Sequence, residues 1–296
     1  MSSFTGRNLK LFFRDKSAVF FSLLSIFIVI ALYILFLRDV WVGGWADMVP
    51  DIAYLMDSWL VSGLLAIVST TATMGAFGIM IDDRVKRIDK DLYASPVKRS
   101  VLLQGYLVSA LIIGIVMSLI TFALAELYIV LNGGALAGAV TCLKILGVVI
   151  LSALTNTSIM CFVVSFFVSQ QAYSTASTII GTLIGFLTGV YLPVGALPAS
   201  VQTVIKLFPV SHAASLFRIL LMDAPLNMAF AGLNEAYRTG FQEYMGVTYV
   251  FGDYTVKPWL SVVILAGTAL VFYLLAVWNL SRMRAVSTKA SGKKRI

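Results

Sequence analysis

Hydroxyl side chains stand inside stretches of sequence that are otherwise apolar. Ser69, Thr70, Thr71 and Thr73 cluster in one such stretch, and Thr175, Ser177, Thr178, Thr182 and Thr188 mark another. A serine or threonine in hydrocarbon either hydrogen-bonds a neighbouring helix or lines a polar route. Ser69, Thr70, Thr73, Thr178 and Thr182 are the candidates for such a route. Residues for covalent or metal chemistry are not arranged in any working pattern. The chain has no G-x-x-x-x-G-K-[ST] phosphate loop, no H-E-x-x-H and no G-x-S-x-G elbow. Its one histidine, His212, has no partner His or Cys at ligand spacing, so no metal site is assigned. Glu126 and Lys144 fall toward block ends, from which they reach the interface, and Asn156 is the most polar mid-block residue. A proton- or sodium-coupled carrier needs a buried carboxylate or broken helices, and neither is evident. Uphill transport would therefore draw its energy from another chain.

The densest charge lies in Asp82–Ser100, DDRVKRIDKDLYASPVKRS. Pro96 closes one short helix and starts the next. Such a compact charged element suits docking in a cleft of a soluble partner; the plainer reading is a solvated loop that fixes topology.

The elements that must position these residues are apolar blocks. Of 296 residues, 59% are hydrophobic and 12% charged. A bilayer core about 30 Å thick needs about 20 apolar helical residues. Ser17–Leu37, Ser58–Ile81, Val101–Leu124, Leu143–Val168, Ser174–Leu192 and Trp259–Leu280 all have about that length. The first is too long for a signal peptide and lacks a small-residue cleavage pattern, so it reads as a retained helix. With the N-terminus inside, 16 of the 22 Lys and Arg fall in the N-terminal flank, in 82–100 and in the tail. That asymmetry puts both termini in the cytoplasm and 193–258 outside. The net charge of +8 suits anionic cytoplasmic lipid and calls for no nucleic acid. Little chain is left over for a soluble domain, so 1–296 reads as one membrane domain.

Smaller patterns refine this plan. Arg7, Lys10 and Arg14 recur at i, i+3, i+7 beside Leu9, Phe12 and Phe13, so residues 1–16 predict an interfacial amphipathic helix. Gly181, Gly185 and Gly189 recur every four residues and predict a stripe of close helix approach, toward the chain's own bundle or a second copy. Cys142 and Cys161 lie about 28 Å apart along one helix and cannot pair within the chain. The segment 193–258 carries short apolar stripes that predict re-entrant or surface helices, and 281–296 is a basic tail.

Two runs resemble a known family. DLYASPVKRSVLLQGYLVSALI holds Ala94, Ser95, Pro96, Lys98, Arg99, Leu102, Leu103 and Gly105, and YLPVGALPASVQTVIKLFPVSHAASLFR holds Pro193, Pro198 and Pro209. In this order, after a basic amphipathic start, they resemble the ABC type-2 permeases, membrane subunits of ATP-binding-cassette exporters, over essentially the whole chain. The resemblance implies an all-α membrane protein with six transmembrane helices, an N-terminal interfacial helix, and outer re-entrant helices between the fifth and sixth spans. It implies a coupling segment at 82–100, with Asp83, Arg84, Leu92, Ala94, Ser95, Pro96, Lys98 and Arg99 facing an ATPase. The family often places Gly-Thr before the coupling helix, and this chain lacks that glycine. The chain itself would hold no cofactor; ATP and Mg would bind two cytoplasmic ATPase subunits, working with a second or sister permease. The long outer segment favours export of a drug, a peptide or a lipid-like amphiphile. The alternatives are a sensor or immunity subunit for a membrane-active peptide, and a non-transporting membrane scaffold.

Overall fold

A computed structural model describes residues 2–44, 49, 52–94, 97 and 99–292. The chain is an all-α membrane protein, with one small hairpin among the described residues. Helix α1 (Ser2–Arg14) leads into α2 (Lys16–Leu32), which passes through a π turn (Tyr33–Leu37) into α3 (Arg38–Gly43). The residues on either side of the π turn, Leu32 and Arg38, both have right-handed helical dihedrals, so α2 to α3 is one helical run about 40 Å long. Then come α4 (Ile52–Val85), α5 (Ile88–Ala94), α6 (Arg99–Leu131), α7 (Ala139–Ser165) and α8 (Gln170–Leu187). A cap follows: α9 (Ala199–Leu207), α10 (Pro209–Leu221), α11 (Asp223–Ala229), α12 (Glu235–Tyr244) and the hairpin β1 (Val250–Phe251) with β2 (Tyr254–Thr255). Helix α13 (Pro258–Gly292) closes the chain.

Local chemistry sets the breaks. Helix α6 ends at Asn132–Gly133, where Gly133 takes φ 88° and the Gly134 amide reaches back to Ile129 O at 2.9 Å. Helix α8 starts at Ser169, whose hydroxyl accepts the Ala172 amide at 3.3 Å. Pro209 cannot donate to α9, so α9 and α10 meet at Phe208 with a bend of 86°.

Among the described residues, four helices are long and apolar enough to cross a membrane: α4, α6 from Ser100, α7, and α13 to Asn279. The bent pair α9–α10 makes a fifth if counted as one span. The two other expected blocks differ for physical reasons. The first is interrupted by the π turn, and the fifth, α8, is 18 residues long and rich in hydroxyls. The tail also departs from a simple flank, because α13 continues helically to Gly292; its side chains from 280 onward lie outside the described residues.

Helix α4 is the axis of the bundle. It packs against α6, α7, α8 and α10, and most of its span is buried. Helix α13 packs on α7 and α10 and leaves Val262, Val263, Leu270, Val271 and Leu274 exposed, a face suited to lipid. Helix α1 does not rest on lipid alone. Phe12 is buried, and Phe4 lies over Gly105 with its ring edge-on to Tyr106, 5.0 Å between centroids. Leu11 and Phe13 remain exposed.

Candidate functional site

The charged segment begins with a correction. Asp83 does not face outward toward a partner. It is buried, takes both guanidinium nitrogens of Arg7 at 2.7 Å, and accepts the Tyr106 hydroxyl at 2.5 Å. Only the Arg7 side is partly exposed, at 32%. The hydrogen bond to Asp83 raises the Arg7 pKa against the opposing effect of burial, so the guanidinium stays charged throughout the usable pH range. Arg84 is also turned inward and donates to Phe167 O at 2.8 Å in the α7–α8 turn. The run Asp83–Arg84 therefore ties α4 to α1, α6 and the α7–α8 turn.

Beyond it the chain turns sharply. Arg87 takes φ 62°, a left-handed conformation that costs a side-chain-bearing residue about 1 kcal/mol or more. This is the turn into α5. Helix α5 leaves Lys90, Asp91 and Ala94 exposed and half-buries Leu92. Lys86, beside it, forms only an exposed i, i+4 pair with Asp82 at 3.3 Å. Ser95, Pro96 and Lys98 lie outside the described residues, as does the side chain of Arg99, the first residue of α6.

The hydroxyl candidates separate into two groups. Ser69, Thr70 and Thr73 are fully buried inside the bundle. Ser69 Oγ meets Ser152 Oγ at 3.1 Å and accepts Asn156 Nδ2 at 3.0 Å, so these three residues join α4 to α7. Thr70 and Thr73 bond carbonyls of their own helix. Of the two readings open to these hydroxyls, this geometry fits packing between helices. Thr178 and Thr182 are exposed on α8 and face a groove against α4. One part, about 280 Å³, is bordered by Leu64, Val68, Thr71, Thr178, Gly181 and Thr182. The other, about 410 Å³, shares Thr71 and Gly181 and continues past Gly75, Tyr173, Ser174 and Ser177. Thr71, next to Thr70 in sequence, is thus the α4 hydroxyl that reaches the groove.

The three glycines do not form one helical stripe. Gly181 is open to the groove. A Cβ on Gly185 would collide with the Tyr191 ring of the same chain. Gly189 lies past the end of α8 at φ 64°, where its amide reaches Phe186 O and the Val190 amide reaches Gly185 O, each at 3.0 Å. It is the left-handed stop of the helix.

Two features were not singled out from the sequence. Arg218 on α10 is fully buried and, among the described residues, has no carboxylate partner. Its guanidinium donates to Thr188 O at 2.8 Å, Gly189 O at 2.9 Å and Gly246 O at 3.1 Å, and it lies over the Trp59 ring at 5.3 Å. It therefore caps the carbonyl end of α8, where the helix dipole is negative, and pins α8, α10 and the chain after α12 against α4. The second is a carboxylate at the other end of α4. Asp57 is buried, meets Arg38 at 3.2 and 3.3 Å, and accepts the Tyr128 hydroxyl at 3.2 Å. Buried carboxylates and a broken helix pair are thus present after all: Glu126 on α6 is buried and accepts the Ala137 amide at 2.8 Å rather than reaching the interface, and Asp83 and Asp57 sit at the two ends of α4. Their 26-residue separation is about 39 Å of helix, close to the thickness of a bilayer with its headgroups. His212, the lone histidine, has both ring nitrogens engaged, with Ser261 Oγ and Lys206 O at 3.0 Å each.

A search of curated proteins finds no match to the chain. The family described as ABC-2 family transporter protein matches residues 50–278, more than three quarters of the sequence. The matched stretch runs from the start of α4 to the end of the α13 span and includes α5, the groove helices and the Arg218 cap. The chain belongs to the ABC-2 family of transporter proteins and is a multi-pass ABC permease.

Proposed function

We propose that this permease is the membrane subunit of an ATP-driven exporter for a drug, an antimicrobial peptide or a lipid-like amphiphile. Family membership implies partnership with ABC ATPase subunits. In the proposed assembly two such subunits bind ATP and Mg in the cytoplasm and act on two permeases, identical or sister chains. The chain works as one domain in the cell membrane, in contact with its lipid. Its six spans are α2 with α3, α4, α6, α7, α8 and α13; both termini are cytoplasmic, and the α9–α12 cap is outside. Three contacts favour this arrangement by gathering α1, the α5 turn and the ends of α7 and α13 at one end of the bundle: Arg7 to Asp83, Arg84 to Phe167, and Asn279 to Ser165 at 2.6 Å.

The observation that carries the reading is the placement of α5. It is a short, largely exposed helix attached through one tight turn to α4, and α4 is the helix that touches nearly every other span. A push on α5 therefore reaches α6, α7, α8 and α10 together. The α4–α8 groove, with Thr71, Thr178 and Thr182 on its wall, is the proposed route, and Gly181 marks where the facing permease approaches. A two-state bundle biased by ATP needs such a shared lever.

Pro96→Leu, or charge reversal at Lys98 and Arg99, should uncouple ATP hydrolysis from transport in proteoliposomes without reducing membrane insertion. Normal transport in a chain substituted at Leu92, Pro96 and Arg99 together would remove α5 from the mechanism. Substrate-stimulated ATP turnover separates export from peptide sensing, and failure to co-purify with any ATPase would favour a scaffold. Orientation is read independently: an impermeant thiol reagent added outside should label Glu235→Cys and miss Lys90→Cys.

A further inference from the structure

Where the cap meets the bundle, a cavity of about 110 Å³ lies between the start of α4, the α6–α7 connection and the α10–α11 junction. Tyr54 and Ser58 line it from α4, Glu126 from α6, Thr141 from α7, and Leu221 and Asp223 from the junction. Tyr54 fixes one wall by donating its hydroxyl to Ala135 O at 3.2 Å. Glu126 is 8% exposed, and its one hydrogen bond among the described residues comes from the Ala137 amide to Oε2, at 2.8 Å. No residue lining the cavity is basic. Lys144, one turn further along α7 than Thr141, is exposed. The ion pairs of the described residues lie elsewhere, at Asp57, Asp82 and Asp83. Of the buried carboxylates described, Asp57 has Arg38 and Asp83 has Arg7, but Glu126 has no counter-ion. A buried carboxylate is costly unless it is both paired and hydrogen-bonded. The cavity beside it has room for several waters or one small organic head group.

We propose that this cavity binds a primary alkylammonium, with Glu126 as its counter-ion. A primary ammonium has three N–H donors and no acceptor. Glu126 Oε1 accepts one. Ala135 O, and the Ser58 oxygen, whose own proton goes to Tyr54 O at 2.9 Å, offer lone pairs for the others. Ile129 and Leu221 cover the carbon that carries the nitrogen. Asp223, exposed on the rim, adds a second negative charge that draws cations in. A metal ion fits less well, because Ca²⁺ takes six to eight oxygens and the described residues hold no group of three or more metal-ligating side chains. A quaternary ammonium donates nothing and favours an aromatic cage, whereas Tyr54 is the one aromatic residue lining the cavity. The ammonium can arrive on a phosphatidylethanolamine headgroup or as a free amine. Helix α6 ends five residues past Glu126, about 8 Å further on, so the site is within reach of the headgroup layer. Which leaflet supplies a lipid rests on the orientation proposed above; the binding itself does not.

The test uses the full chain and has two arms. Native mass spectrometry after exchange into equal amounts of phosphatidylethanolamine and phosphatidylcholine reads the lipid. The Tm in phosphatidylcholine nanodiscs titrated with ethanolammonium chloride reads the free amine, with tetramethylammonium chloride as the ionic control. Retained phosphatidylethanolamine should exceed phosphatidylcholine by about tenfold, the worth of one charge-assisted hydrogen bond, or ethanolammonium but not tetramethylammonium should raise the Tm. The first alone assigns a lipid headgroup, the second alone a soluble amine, and both together a site open to either source. Glu126→Gln keeps an acceptor for the Ala137 amide and removes the charge, so it should abolish whichever effect is present. Ala224→Trp, at an exposed position lining the cavity, closes the site without touching the carboxylate and should do the same. Neither effect in the unaltered chain would overturn the site, as would an effect that survives either substitution. A Tm raised by calcium chloride and not by ethanolammonium would assign a metal ion and overturn it as well.

Discussion

The two ends of the α4–α6 pair are fastened by the same three residue types. At the α5 end Arg7, Asp83 and Tyr106 meet; at the cap end Arg38, Asp57 and Tyr128 do. In each, α4 supplies the carboxylate, α6 the phenol, and a helix earlier in the chain the arginine. The bonds are 2.5 to 2.7 Å at the first site and 3.2 to 3.3 Å at the second. Charge-assisted bonds weaken with length, so identical chemistry gives one firm end and one yielding end. The firm one lies four residues before the turn into α5, where an applied force must not be lost in slack.

That contrast can be broken by measuring each end. The largest effect should come from Arg7→Gln, which leaves Asp83 buried with only Tyr106 and costs about 3 kcal/mol in detergent-solubilised unfolding. Equal losses from Arg7→Gln and Arg38→Gln would end the distinction between the two sites. Next is Arg218→Met, which releases three carbonyls at the cap end and should cost about 2 kcal/mol. A negligible loss would show that the cap end is held by packing alone. Arg38→Gln should cost about 1 kcal/mol, because its bonds to Asp57 are longer, 3.2 and 3.3 Å. Smallest is Arg87→Gly, which should stabilise by about 1 kcal/mol or less by relieving the left-handed turn. A lower Tm in that variant would mean that the Arg87 side chain holds the turn.

Much of this architecture was legible as a pattern of blocks. Apolar length found α4, α6, α7 and α13, and the short stripes in 193–258 signalled short helices there, though not the 86° bend at Phe208. The charged run 82–100 contains α5. Asp83 was misread because a charged run looks solvated in sequence, while its partner Arg7 lies 76 residues away. Asp57 stands one residue before an apolar block and gives no local sign of burial. Gly189 fell in register with Gly181 and Gly185, and that period hid a helix stop that Pro193 downstream could have signalled. Ser69, Thr70 and Thr73 could be named as hydroxyls in a span, but which of them faces a groove is decided by the rotation of α4 about its axis. That rotation is set by packing against four neighbours, so which member of the cluster faces the groove, Thr71, emerged only from the structure.

The Arg218 pin has a consequence for how the chain is assembled. Its acceptors lie 30 residues before it, at Thr188, and 28 residues after it, at Gly246. During synthesis the guanidinium therefore exists before its last acceptor does. Helix α10 carries a cation whose partners among the described residues are backbone carbonyls, so it cannot settle until α8 is finished and the chain beyond α12 has emerged. The cap should mature in one late step, and nascent chains truncated between Arg218 and Gly246 should be the ones that cellular proteases clear fastest.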